Sequence, residues 1–171
     1  MKINRRQFVS AAMAGGIGAT TFPLASQARS ESEMANYKKL DRVLAQPVFK
    51  KEFFSNPVII ESVELLEYDR SYLCRVRSTD GAVGISVGHN TMNVLYPIFV
   101  RKVQPAFIGQ DARRLDELLE KAMEFGFNYR LGGQAIGIPL ATIEFAILDM
   151  MGRVAGKSVG ELVGKVHNPY I

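Results

Sequence analysis

The sequence predicts an α+β fold: a three-stranded antiparallel β-meander followed by a three-helix bundle. Three observations carry this. Residues 58–87 alternate in polarity with a period of two and are punctuated by turns. Residues 112–125 hold Leu115, Leu118, Leu119, Ala122 and Met123 at helical spacing. Residues 139–155 are apolar on nearly every face, the signature of a central buried helix.

The elements follow in order. Residues 1–28 open with Lys2, Arg5 and Arg6, continue with an Ala/Gly-rich apolar run from Phe8 to Ala25, and close on Ser26-Gln27-Ala28. These are the three parts of an export signal, and the paired arginines indicate twin-arginine translocation to the periplasm or beyond, with cleavage after Ala28. Retention as a membrane anchor is the competing reading. The run is broken by glycines and Pro23, and is shorter than the roughly 20 strongly apolar residues of a span. Residues 29–56 read as a polar leader and a short helix over 37–55, interrupted by Pro47.

Residues 58–67 are β-rich. Tyr72, Cys74 and Val76 alternate with Leu73, Arg75 and Arg77, so one face of that strand is buried. Asp80-Gly81 is a hairpin turn because Gly accepts positive φ. Val83, Ile85 and Val87 then alternate with Ala82, Gly84 and Ser86. A helix is expected over 93–104 with Pro97 in its first turn, and Asp111 is placed to cap the helix over 112–125. Residues 126–137 are Gly-rich and loop-like. Pro139 is a permissible helix start, and Gly156 ends the last helix.

Composition excludes several functions. The chain is formally +4, with 21 basic and 17 acidic residues. The signal removes three of the basic residues and no acid, so the rest is close to neutral and gives no basis for a nucleic-acid partner. Cys74 is the single cysteine and forms no internal disulfide. Two separate histidines, His89 and His167, and no carboxylate cluster give the chain no metal site or cofactor of its own. Glu144 and Asp149 lie about 140° apart round their helix and do not converge on one ion. They are expected to be structural, bonded to backbone or to a basic partner. Residues 84–88 are not a phosphate loop, residues 132–137 are a loop rather than a dinucleotide fingerprint, and no nucleophile elbow is present.

The segment Ala146-Ile147-Leu148-Asp149, with Gly152, Ala155-Gly156-Lys157 and Glu161-Leu162-Val163-Gly164, resembles the last helix of the N-terminal capping domain of the mandelate racemase/muconate-lactonizing branch of the enolase superfamily. Ile108-Gly109-Gln110-Asp111 is similar to that family's turn between its earlier helices. The resemblance implies a capping domain over 57–164 and, at 165–171, the start of a linker to a catalytic barrel that is absent from this chain. It further implies an exported racemase- or dehydratase-type enzyme acting on a carboxylate, a hydroxy or sugar acid. Its Mg²⁺ and proton-transferring bases would sit on the barrel, so this chain alone would hold no catalytic residue. The cap would supply lid loops. Matched to this sequence they are Tyr68–Ser71 and Gly88–Met92, which makes Asp69, Arg70, His89, Asn90, Thr91 and Met92 the candidate substrate-contacting residues. The alternative is a stand-alone periplasmic binding or oligomerisation domain, a homo-oligomer burying its orphan face.

Overall fold

The computed structural model describes residues 31–126 and 132–164. The export signal and the linker expected at 165–171 lie outside the described residues. The described residues divide into two compact units, one ending at Val43 and one starting at Leu44. Glu31–Leu44 form one helix, α1, which runs through the first unit to the boundary. It starts upstream of the expected 37–55 segment, inside the stretch read as a loose leader. The chain leaves the helix ahead of Pro47, whose ring disfavours helical backbone at the residue before it.

The second unit starts earlier than residue 57, the boundary expected from sequence. Phe49 and Phe54 are buried and stacked, with ring centroids 5.6 Å apart. Lys50 ties this segment to the end of the fold. Its Nζ donates to the carbonyls of Glu161 at 2.8 Å and Gly164 at 2.6 Å, and its amide donates to Leu162 O at 2.9 Å.

Strands β1 (Ile60–Tyr68), β2 (Ser71–Ser78) and β3 (Val83–Val87) form the expected antiparallel meander in the order β1-β2-β3. Ile60, Val63, Tyr72, Cys74 and Val76 enter the core. In β3 the alternation holds, but the small set faces inward: Gly84 and Ser86 are buried while Ile85 and Val87 are exposed. The cause is the central helix α4 (Gln134–Ala155), which crosses β3 at backbone contact. A Cβ on Gly84 would overlap the Ala146 carbonyl oxygen and the Met150 amide nitrogen, and would lie 2.6 Å from Met150 Cβ. Only glycine permits that approach.

Helix α2 (Met92–Ile98) is followed by a π-helical turn over Phe99–Val103 and a 3₁₀ turn over Gln104–Ala106, rather than the regular helix expected over 93–104. Pro97 lies inside α2 and has no amide to give, and the ladder widens directly after it. Phe99 N–H is shared between the Leu95 and Tyr96 carbonyls. The wide turn still buries Phe99 and Val103. Asp111 caps the next element as expected, accepting from the Arg113 and Val58 amides at 3.1 Å each. Helix α3 (Leu115–Gly126) buries Leu115, Leu118 and Ala122 of the predicted stripe and leaves Met123 exposed.

Helix α4 starts at Gln134, ahead of the expected Pro139, and Pro139 is accommodated in its interior. The helix is long and apolar enough to cross a membrane, yet most of it is buried in this fold. It packs on the sheet with Ile143, Ala146, Ile147, Met150 and Met151 fully buried. Gly156, at φ 62°, ends it as expected, and Lys157 N–H returns to Gly152 O at 2.9 Å. Ser158 and Glu161 then form a reciprocal capping box on α5 (Val159–Val163).

Candidate functional site

Antiparallel order places both expected lid segments at one end of the sheet. β1 arrives there at Tyr68, β2 departs at Ser71, and β3 arrives again at Val87. The first segment is a two-residue hairpin closed by the Tyr68–Ser71 pair. Asp69 and Arg70 both have positive φ, 45° and 62°. That is the backbone of a primed turn, which normally takes Asn-Gly. Two side-chain-bearing residues therefore sit in left-handed conformation at the tip, each at a cost of about 1 kcal/mol.

The second segment is anchored at its root. Gly88 N–H donates to Tyr72 O at 2.7 Å, and a Cβ on Gly88 would stand 2.9 Å from Tyr72 Cβ. His89 folds back on its own loop. Its Nδ1 accepts the Thr91 amide at 3.1 Å and lies 2.8 Å from Thr91 Oγ1. With Nδ1 occupied as acceptor, the neutral ring carries its proton on Nε2, the nitrogen left over for a ligand. The Thr91 carbonyl in turn receives the Val94 and Leu95 amides and starts α2. Asp69, Arg70, His89 and Asn90 are exposed, and Thr91 is half-buried.

Met92 requires a correction. It is fully buried in the core at the start of α2, so it holds the loop from beneath and does not face a ligand.

Sequence reasoning missed Tyr72. It roots both segments, pairing with Glu67 across the sheet and accepting from Gly88. Burial, and then the charge of Glu67, raise its phenol above the ordinary range. An aromatic residue directly after a hairpin turn was the available signal.

Of the two helix acids, Asp149 behaves as expected. Its Oδ2 accepts the Ile85 amide at 2.9 Å and Arg153 Nε at 3.1 Å, so it caps the free edge of β3. Glu144 does not. It is half-buried without a hydrogen-bonding or ionic partner among the described residues, and burial followed by the charge of Asp116 raises its carboxyl above the ordinary range. Burial also pushes the Cys74 thiol up to about 12, which leaves it an inert core residue. Among the described residues, no group of three or more His, Cys, Asp or Glu could hold a metal ion. This end of the sheet carries the Arg70 guanidinium beside the Asp69 carboxylate, the His89 imidazole N–H and the Asn90 amide. The guanidinium, imidazole and amide are groups that can cover and bind an anion.

This arrangement defines an α+β domain, a sheet with two short segments at one end held on a three-helix bundle. Residues 48–164 match the family described as mandelate racemase / muconate lactonizing enzyme, N-terminal domain. The chain belongs to that family, within the enolase superfamily. Solved structures agree in fold. A mandelate racemase/muconate lactonizing protein from Paracoccus denitrificans, complexed with magnesium, is 23% identical with a TM-score of 0.56, covering 65% of this chain and 31% of that one. A muconate cycloisomerase from Azorhizobium caulinodans is 22% identical with a TM-score of 0.55, covering 67% and 33%. A putative racemase from Roseobacter denitrificans is 29% identical with a TM-score of 0.52, covering 60% and 28%. The chain thus spans about a third of the length of these proteins. Comparison with curated protein sequences gave no match.

Proposed function

We propose that this chain is the substrate-covering N-terminal domain of an exported enzyme that acts on a hydroxy or sugar acid by magnesium-assisted abstraction of the α-proton. The observation that carries this reading is the convergence of the Asp69–Arg70 turn and the His89–Thr91 loop at one end of the sheet. Arg70 supplies positive charge and His89 Nε2–H a directed donor, both suited to a carboxylate. A lid of this kind binds, orients and excludes water.

The described residues do not fit a magnesium site. The reading therefore assigns the ion and the proton-transferring bases to a barrel domain outside this chain, the expected partner of this one. The magnesium named for the Paracoccus protein supports the choice of ion. Arg5-Arg6 and the apolar run after them support export to the periplasm by the twin-arginine route.

The test is exchange of the α-proton in deuterated water, followed by NMR with magnesium and a panel of hydroxy and sugar acids. The purified chain is expected to catalyse none. Exchange above background would place catalysis in the chain itself and overturn the reading.

One observation favours a second reading, a stand-alone periplasmic binding or oligomerisation domain without catalysis. Leu66, Leu73 and Val87 pair across the three strands on the outer face of the sheet, flanked by exposed Tyr68 and Ile85. A homo-oligomer would bury that row as well as a barrel would.

A further inference from the structure

We propose that a cleft remote from the lid, between the π-helical turn and α3, is a binding site for a small organic dianion with an apolar body. The cleft has a volume of about 500 Å³, within the range of ordinary ligand sites. Arg101, Lys102 and Lys121 line it, and Pro105, Ala106 and the buried Leu118 give it an apolar wall. Gln110 adds an amide.

Its charge distribution is what singles it out. None of the three cations makes an ion pair or hydrogen bond with any described residue, and among the described residues no carboxylate lines the cleft. Two other clefts differ. Arg153 and Lys157, beside the end of α4, are neutralised by Asp149 and Glu161. The cleft beside residues 44–51 mixes Lys51 with Asp116, Glu117 and Glu120. Three like charges held round one cavity repel one another unless an anion joins them. Two carboxylates would reach the guanidinium and the ammonium groups while a ring or short chain covered Leu118 and Pro105.

The site is separate from the lid. Gln110 and Gly109 bond to Ile60 at the start of β1, whereas the lid lies past Tyr68 at its end. Nine residues of strand, about 25 Å, stand between them. The inference does not depend on the enzyme reading.

The experiment is a calorimetric titration of the full chain with phthalate, with phthalamide as its neutral counterpart. Phthalate is expected to bind at least about ten-fold more tightly than phthalamide, and its affinity to fall as salt rises. The triple variant Arg101→Gln, Lys102→Gln, Lys121→Gln should lose about ten-fold or more in phthalate affinity. It should melt as the parent does, because all three side chains are exposed. The pair Arg153→Gln, Lys157→Gln should bind phthalate like the parent. Absence of phthalate binding, equal binding of phthalamide, or unchanged affinity in the triple variant would each overturn the proposal.

Discussion

At the scale of single residues, the fold depends on contacts made by small or charged groups against backbone. Gly84 is the sharpest case. Gly84→Ala drives a methyl into two backbone atoms of α4, which cannot move aside as a flexible side chain would. Urea titration should show a loss of about 3 kcal/mol, at the upper end for overpacking, or failure to fold. Glu144 works in the opposite direction. Its carboxyl is raised in the folded state, so at pH 7 its charge opposes folding. Glu144→Gln should raise the melting temperature at pH 7. The gain should vanish near pH 3, where the acid is protonated in both states. A gain that persists at low pH would show that packing, not charge, is responsible. The sequence showed that both helix acids were exceptional in an apolar helix. It could not show that Asp149 finds the Ile85 amide while Glu144 meets the charge of Asp116, because both partners come from distant parts of the chain.

At the scale of elements, the turn at Asp69–Arg70 trades stability for side chains at the tip. Arg70→Gly should stabilise the chain by roughly 0.5–1 kcal/mol in denaturant titrations, since glycine adopts positive φ without strain. A loss of stability would mean that the Arg70 side chain contributes contacts beyond its turn. Helix α5 is governed by its cap. Ser158→Ala should cost about 1 kcal/mol. The Ser158 amide, Lys157 and the Ser158 hydroxyl lower the Glu161 carboxyl to about 2. Its contribution is therefore complete above the ordinary glutamate value and is lost as pH falls through about 2. Strand spacing, the Asp-Gly turn, the Asp111 cap and the Gly156 stop were legible because each is a local signal. The inward face of β3 was not, because apolar residues occupy its outer face and a neighbouring helix decides which set is covered. The π turn after Pro97 and the early start of α4 also rest on burial of Phe99, Val103 and Ile136, which overrides local propensity.

At the scale of the whole molecule, the family was legible from the Ala146–Gly164 segment. The candidate site was legible only as two stretches of sequence. Their meeting at one sheet end follows from strand order, and the removal of Met92 from the site follows from core packing. The uncovered row Leu66–Leu73–Val87 has a consequence in solution. Purified chain should self-associate in size-exclusion chromatography as concentration rises, and Val87→Lys should shift it toward monomer without lowering its melting temperature, since Val87 is exposed. A monomer at all concentrations would show that the row is not adhesive on its own.

The central claim is that this domain works as the lid of a larger exported enzyme. Its most direct test is the size of the native protein in the periplasmic fraction of the source cell, detected with an antibody against residues 57–164. The account predicts a band at least about twice the size of this chain, because the matching 65–67% of its 171 residues makes up only 31–33% of each solved relative. A single periplasmic band at the size of this chain without its first 28 residues would contradict it.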